Sequence, residues 1–437
     1  MICYVTIKGV RHVLIQFSVE NFCSLKDKLV LSLQPSDDED HRENLIKDGD
    51  YSGLNMVALY GANASGKSNL HKAMTAAILL IRQSNLRQVG EKLFRIVPFK
   101  LDNNSLNQPT SFEFEFVAGD SQKYIYGFSA NTDKIIEEYL YKFDPSADGN
   151  YLIIFERQGE EFTFGEYDAD KLSVAQKMNT ENKLFLATAT AWNVPCTTIP
   201  YMWFANKVDT YTSGNDILPS VMNMYHQDMY NNIEFTKELL KKTDINIEDL
   251  FIEEQKNDYN PSMPFPWMNP ANSVGIAING EQYSFKITTS HQVINKDNTK
   301  QQYLLNLAEE SLGTRQLFYF APLLKETFDK GKTIFIDELE NSLHPAIARF
   351  LINLFRNDEY NRNGAQLIFT THETTLLSMD IFRNDQIYFT EKDNKTGITD
   401  LYSLDDFPKV ANEDVEKGYL LGRYGAIPFL KTEDVVL

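Results

Sequence analysis

The chain is poor in cysteine and has no long apolar run. Its 437 residues include only Cys3, Cys23 and Cys196, which are far apart and form no Cys-x-x-Cys pair. A disulfide framework or a cysteine zinc site is therefore not expected, and a reducing compartment is the simplest setting. No apolar stretch approaches the roughly 20 residues of a membrane-spanning helix, and the first residues lack the pattern of a signal peptide. We therefore expect a cytoplasmic protein with no membrane partner.

Basic charge is also scarce. The 42 Lys and Arg residues face 61 Asp and Glu residues, so the formal net charge is −19. A general nucleic-acid-coating protein usually has a basic footprint, and any nucleic-acid contact of this chain is therefore expected to be confined to a local patch. The hydrophobic content of 43% is that of a globular protein and excludes disorder of the whole chain.

The N-terminal half has mostly strand-like patterns. A polar loop is predicted over residues 34–50 and a long helix at Lys67–Arg82. Strands are predicted at Val13–Val19, Leu29–Leu33, Asn55–Tyr60, Ser111–Val117, Lys123–Ser129, Ile135–Phe143, Tyr151–Phe155 and Glu161–Phe164. The last five follow one another with turn residues between several of them, which indicates an antiparallel meander.

The C-terminal part alternates helix and strand, which indicates a parallel sheet with crossover helices. The predicted elements are a largely helical stretch at Leu304–Asp329, a strand at Thr333–Ile336, a helix at Ala346–Arg356 and strands at Gln366–Thr370 and Gln386–Thr390.

The region between these two parts is less regular. It has a helix predicted at Ile233–Lys242 and a proline-rich link at Asn260–Pro270, followed by a hairpin of Val274–Ile278 and Glu281–Thr288. The hairpin turns at Asn279-Gly280, a pair that favours a two-residue turn.

A phosphate-binding loop is the strongest motif. Residues 61–68, GANASGKS, fit GxxxxGK[ST] at every fixed position, between an apolar strand and a helix. That context disfavours a chance glycine turn. Backbone N–H groups of such a loop cradle phosphates, its Lys reaches the β- and γ-phosphates, and its Ser ligates Mg²⁺. The predicted nucleotide contacts are Gly61, Asn63, Ser65, Gly66, Lys67, Ser68 and Asn69.

Two carboxylates follow the strand Thr333–Ile336, at the end where ligands bind in open α/β sheets. Asp337 is predicted to bind Mg²⁺ together with Ser68. Glu338 is predicted to position and polarise the attacking water. Two exposed acids at a strand end are the alternative, which a neighbouring phosphate loop makes less favourable.

Two further motifs are weaker when taken alone. His372 follows the strand Gln366–Thr370 and could hydrogen-bond the γ-phosphate, although such a histidine is more often structural. Ser311 and Gly313, in the sequence ESLGT, could present a helix N-terminus to an anion. A simple helix cap at Ser311 is the alternative.

The order of these motifs resembles ABC-type ATPases of the branch that includes RecF and the SMC proteins. The resemblance implies an α/β fold, an ABC-type ATPase head with a mixed or parallel core sheet, an antiparallel β meander and an inserted, mainly helical segment. It implies ATP and Mg²⁺ as cofactors and Lys67, Glu338 and His372 as catalytic residues. It also implies that Ser311 and Gly313 contact the γ-phosphate in a partner subunit, and that 340–345 is the D-loop. Leu312 and Thr314 depart from the usual LSGGQ signature.

The implied organisation has three parts. Residues 1–200 form a first ATPase lobe, 201–270 the inserted segment, and 271–437 a second lobe with a C-terminal tail.

A closer resemblance is to the RloA/AbiLi-like abortive-infection ATPases. It rests on LIQFSVENF at 14–22, DELE at 337–340 with LHP at 343–345, and the tail motifs within 385–428. Cys23 and Leu25 depart from it, since relatives often have Lys and Phe there. The resemblance implies an ATP-dependent homodimer or higher oligomer in bacterial antiphage defence, controlling a separately encoded effector such as a nuclease.

Three other functions remain open from the sequence. A DNA-repair or chromosome-maintenance ATPase of the RecF/SMC type would bind duplex DNA, but the −19 charge and the lack of sustained heptads disfavour it. A transporter subunit would be expected to have a conventional LSGGQ. A scaffold that binds ATP without hydrolysis is disfavoured by the complete set of Lys67, Asp337, Glu338 and His372.

Overall fold

A computed structural model describes residues 11–48, 51–147, 150–212, 217–243, 246–257, 267–269, 273–296, 298–408 and 414–427. The chain divides into two compact units. The first takes its described residues from Met1–Thr210, Lys330–Glu338 and Asn353–Leu437, and the second takes its residues from Tyr211–Asp329 and Leu339–Ile352.

The strands of the described residues are β1 (Val13–Glu20), β2 (Leu29–Ser32), β3 (Leu45–Asp48), β4 (Tyr51–Leu54), β5 (Met56–Tyr60), β6 (Thr110–Val117), β7 (Lys123–Ala130), β8 (Ile135–Phe143), β9 (Tyr151–Gln158), β10 (Glu161–Phe164), β11 (Val208–Thr212), β12 (Asp249–Asn257), β13 (Trp267–Asn269), β14 (Ser273–Ile278), β15 (Glu281–Ile294), β16 (Lys300–Asn306), β17 (Thr333–Asp337), β18 (Gln366–Thr370), β19 (Ile387–Lys392) and β20 (Thr399–Ser403). Their α-helices are α1 (Lys67–Arg82), α2 (Ala169–Gln176), α3 (Phe185–Ala191), α4 (Pro195–Asn206), α5 (Leu218–Gln227), α6 (Met229–Lys242), α7 (Leu312–Lys330), α8 (Pro345–Arg356) and α9 (Val415–Leu420).

One sheet of the first unit is antiparallel and seven-stranded, in the order β10-β9-β8-β7-β6-β1-β2. Strand β6 shows why it forms: Phe112, Phe114 and Phe116 are buried and alternate with polar residues. The buried face packs against α4, where the ring of Trp203 stacks on Phe116 at 4.2 Å. The predicted meander is therefore confirmed, with an aromatic inner face and a polar outer face.

The second sheet of the first unit is the core sheet, in the order β11-β17-β18-β5-β19-β20. Strands β17, β18, β5 and β19 pair in parallel, and β20 pairs antiparallel to β19. Every residue of β5 and β18 is buried, as expected for strands covered on both faces. The carboxyl ends of β5, β17 and β18 consequently meet at one edge, and each is followed by a predicted functional segment.

The second unit combines helices with an antiparallel sheet in the order β12-β15-β14-β13, in which β16 also pairs with β15. Tyr225 of α5 stacks on Phe318 of α7 at 5.0 Å. The hairpin of β14 and β15 turns at Asn279 and Gly280, both with positive φ (52° and 82°), so the predicted turn is confirmed.

Two predictions about local structure are wrong in part. The helix predicted from Leu304 begins only at Leu312, because β16 continues to Asn306 and the Asn306–Glu309 capping box forms a separate short turn. The loop predicted over residues 34–50 contains β3, which pairs with β4 and buries Ile46.

The proline-rich link lies outside the described residues apart from Trp267–Asn269, which form β13. The predicted fold class is confirmed: an α/β fold with a mixed core sheet, an antiparallel meander and an inserted segment that carries α5 and α6. Within the described part of the chain, no helix has the length and hydropathy needed to cross a bilayer.

Candidate functional site

The phosphate loop lies between β5, which ends at Tyr60, and α1, which begins at Lys67. Its backbone enters the left-handed region at Ala64 (φ 63°) and Gly66 (φ 120°). A Cβ added to Gly66 would overlap the side chain of Thr399, so this position requires glycine for both its backbone angle and its space.

Lys67 is 4% exposed and its ammonium group lies inside the loop. Nζ donates to the carbonyl oxygens of Gly61 (2.7 Å) and Ala62 (3.2 Å) and lies 3.5 Å from Nδ1 of His372. The structure therefore brings together the predicted phosphate-binding lysine and the predicted histidine.

Asp337, the last residue of β17, lies beside the other end of the loop. Its Oδ1 accepts hydrogen bonds from Ser68 Oγ (3.3 Å) and from Thr370 Oγ1 (2.7 Å). The hydroxyl of Thr370 in turn accepts from the backbone N–H of Glu338 at 2.7 Å. Glu338 has a left-handed backbone (φ 55°), and this hydrogen bond helps to hold it there.

The two predicted metal ligands, Ser68 and Asp337, are thus within hydrogen-bond distance of each other. In the part of the chain that the structure describes, no group of three or more His, Cys, Asp or Glu could hold a metal ion. Mg²⁺ suits a site with few protein ligands, because it usually keeps several waters and binds substrate phosphates. One hydroxyl and one carboxylate therefore fit Mg²⁺ that binds together with a nucleotide.

Hydroxyl groups outside the motifs fix the phosphate loop. Ser65 Oγ lies 2.6 Å from Thr390 Oγ1 of β19, and its carbonyl oxygen accepts from Thr399 Oγ1 of β20 at 2.9 Å. Asn69 Nδ2 donates to Ser24 Oγ at 2.7 Å. The side chains of Ser65 and Asn69, both predicted nucleotide contacts, therefore have protein partners. Asn63 is exposed.

The sequence patterns did not predict that four hydroxyl residues support the site: Thr370, Thr390, Thr399 and Ser24. Thr370 could have been noticed, because it ends the strand that precedes His372. The other three lie far from the loop in the chain and give no local signal.

The C-terminal segment 414–427 packs on the same edge. Tyr419 stacks on Phe389 (5.5 Å between ring centroids) and lies edge-on to Tyr60 (6.1 Å), the residue before the phosphate loop. Thr374, two residues after His372, donates to Glu416 at 3.3 Å. The predicted tail therefore contacts the segments on both sides of the site.

Ser311 and Gly313 belong to the second unit, whereas the residues above belong to the first. Ser311 Oγ accepts from the N–H of Thr314 at 3.1 Å, which is a helix N-cap for α7. A Cβ on Gly313 would lie 3.1 Å from the carbonyl oxygen of Ser342, so glycine permits this close approach. Residues 311–314 are here called the signature segment. Ser311 is exposed and Leu312 is 62% exposed, so the first half of this segment is open on its surface.

The loop, the strand-end carboxylates and the four parallel strands of the core sheet define a P-loop protein of the ATPase class. A family model described as "AAA domain, putative AbiEii toxin, Type IV TA system" matches residues 56–183 and 211–378, more than half of the chain. The chain belongs to this family.

Solved structures show only distant similarity. The SMC head bound to the C-terminal winged-helix domain of ScpA has a TM-score of 0.48 and 12% identity, covering 89% of this chain and 97% of that one. The SMC head domain from Thermotoga maritima (TM-score 0.39, 13% identity) covers 91% of this chain and 99% of that one. The recombination mediator RecF with ATP (0.38, 12%) covers 90% and 98%. No match is found among curated proteins.

Proposed function

We propose that this chain is an ATP-hydrolysing switch of a bacterial antiphage, abortive-infection system. The observation that carries the ATPase part is the convergence of Lys67, Ser68, Asp337, Glu338 and His372 at one edge of the core sheet. The defence part is supported by the family's description, which names the AbiEii toxin, and by the resemblance to RloA/AbiLi-like ATPases.

In this proposal the loop N–H groups and Lys67 hold the β- and γ-phosphates of ATP. Ser68 and Asp337 would hold Mg²⁺, which supplies positive charge against the phosphate oxygens. Glu338 accepts a proton from the attacking water, and His372 contacts the γ-phosphate. Thr370 orients both carboxylate residues through its two hydrogen bonds.

The exposed signature segment supports a dimer. Ser311 and Gly313 would complete the ATP site of a second copy, so that two protomers enclose two ATP molecules. The 340–345 segment, whose Ser342 approaches Gly313, would lie at the same interface. Hydrolysis would reset this dimer, or a higher oligomer, in the cytoplasm and thereby control a separately encoded effector such as a nuclease.

Replacing Glu338 with Gln tests the enzymatic part. We expect phosphate release to fall at least about 100-fold, because the general base is lost. An ATP-dependent dimer should accumulate, and light scattering should detect it. Exposed Glu359→Gln is the matched control and should behave like the wild type. Undiminished turnover in Glu338→Gln would rule out the role of this residue. Cells that carry the variant should also lose protection against phage, and retained protection would separate defence from hydrolysis.

A second candidate function, a DNA-maintenance ATPase, is favoured by one surface feature. Phe94 is 79% exposed and lies between Lys92 and Arg95, both exposed. The two basic side chains of this exposed loop suit contact with the phosphates of duplex DNA. The candidate predicts salt-sensitive duplex binding that the double change Lys92→Glu and Arg95→Glu removes. No binding at low salt would exclude it.

A further inference from the structure

The outer face of the antiparallel sheet carries two rows of residues that run across β1, β6, β7 and β8. The first row, here called the hydroxyl row, consists of Glu20, Ser111, Ser129 and Glu137, each opposite the next. The second row, one register step away, consists of Ser18, Glu113, Gly127 and Tyr139. Neither row belongs to the nucleotide site.

A cavity of about 90 Å³ lies on these rows, with Lys28 at its side. A single water needs only about 10–15 Å³ measured in this way. The cavity is therefore large enough for a small polar group that carries several hydrogen-bonding atoms.

Ser129 lies in the middle of the hydroxyl row and lines the cavity. It is 4% exposed, and its Oγ has no hydrogen-bond partner. A buried hydroxyl without a partner costs about 1–3 kcal/mol, and such groups are normally satisfied. A ligand that hydrogen-bonds to Ser129 would remove that cost.

The second row adds no net charge to the cavity once Lys28 is counted. Glu113 is already paired, because Lys28 Nζ lies 3.3 Å from one of its oxygens and the Tyr139 hydroxyl donates to the other. Gly127 makes the latter contact possible, since a Cβ there would overlap the ring of Tyr139. With Glu113 balanced by Lys28, the remaining charge of the lining is that of Glu20 and Glu137, which are both exposed.

We propose that this cavity binds the guanidinium group of an arginine side chain from a partner protein. Carboxylates at the two ends of the row and a hydroxyl acceptor between them match the several donors of a planar guanidinium. The cavity has room for one charged head group, whereas the charges of a free polyamine are spread along a longer chain. The proposal does not depend on the proposed ATPase cycle.

Binding of small probes to the full-length protein tests the proposal. N-acetyl-arginine methylamide and spermidine are titrated at low salt and followed by ligand-observed NMR without ATP. We expect the arginine probe to bind, and we expect Glu20→Gln and Glu137→Gln each to weaken it about tenfold through loss of a charge-assisted hydrogen bond. Ser129→Ala should weaken it by a smaller factor, and added salt should weaken it further.

Glu161→Gln is the matched control, because Glu161 is an exposed carboxylate of the same sheet, on β10 outside the cavity. It should bind the arginine probe like the wild type. Thermal midpoints show whether each variant is folded. Because Glu20 and Glu137 lie on different strands, the variant at one position still tests the proposal if the variant at the other does not fold. No arginine binding, equal binding in the double variant Glu20→Gln/Glu137→Gln, or binding of spermidine alone would each overturn the proposal.

Discussion

The phosphate-loop edge of the first unit and the signature segment of the second differ in how their functional residues are held. At the phosphate-loop edge, Lys67 is buried and Asp337 is hydrogen-bonded to Ser68 and Thr370. In the signature segment, Ser311 is exposed and its hydroxyl serves the N-terminus of its own helix.

The contrast is between residues that are fixed in place before a ligand binds and residues that stay exposed for a partner subunit. Residues that act on a ligand within their own unit can be fixed before the ligand binds, and this lowers the cost of ordering them. A residue that acts on a ligand held by another subunit must instead remain exposed until that subunit arrives. The two surfaces therefore correspond to the two halves of the proposed composite site, and the following changes test that correspondence.

Lys67→Ala should have the largest effect. Loss of the ammonium removes charge-assisted hydrogen bonds to the phosphates, each worth about 1.5–3 kcal/mol, so ATP affinity should fall roughly 10- to 100-fold or more. Equilibrium binding of a fluorescent ATP analogue measures this loss. Lys72→Ala, an exposed lysine of the same helix, is the control and should bind normally. Unchanged ATP binding by Lys67→Ala would contradict the assignment of the loop.

Ser311→Asp sharpens the comparison, because Asp caps a helix about as well as Ser. If Ser311 is only a cap, neither stability nor turnover should change. If it meets the γ-phosphate of a partner, the added negative charge should prevent ATP-dependent dimerisation and reduce turnover about 100-fold, similar to losing a transition-state donor.

ATP binding by the protomer itself should persist in Ser311→Asp, since the phosphate loop is untouched. Sedimentation with and without ATP, together with phosphate release, gives the two readings. Ser311→Thr retains a capping hydroxyl without adding charge and serves as the control. A Ser311→Asp protein with normal turnover would leave Ser311 as a helix cap.

The sequence predicted most of the strands of the first unit, and helix α1, because their apolar residues are strongly patterned. Helices α2, α3, α4 and α9 of that unit were not predicted. Helix α1 and strand β18 have the predicted bounds, and β5 and β17 differ from theirs by one residue. Strand β16 was missed because it is largely exposed on both faces, so it lacks the alternation of a half-buried strand. Its apolar residues instead continued the pattern of the helix that follows.

The candidate site was predictable only where a motif is local. The phosphate loop and the Asp337-Glu338 pair are each contiguous in the chain. Their residue types are those expected for phosphate binding, metal binding and water activation. The hydroxyl groups of Ser24 and Thr399 also lie 2.7 Å from each other, although the two residues are 375 positions apart in the chain. A hydroxyl in either place is common in loops and strands. Such supporting contacts follow from tertiary structure and not from the local sequence.

Thr370→Val should have the smallest effect of the three and tests whether preorganisation matters at the phosphate-loop edge. Valine keeps the shape of threonine but removes the hydrogen bonds to Asp337 and to the Glu338 N–H. We expect kcat to fall about tenfold, as for the loss of one net hydrogen bond of about 1–1.5 kcal/mol, with ATP affinity nearly unchanged. Thr370→Ser should restore kcat, and Thr396→Val, on an exposed turn, should not change it. If kcat is unaffected in Thr370→Val, the carboxylates do not need this support. The phosphate-loop edge and the signature segment would then differ only in how deeply their functional residues are buried.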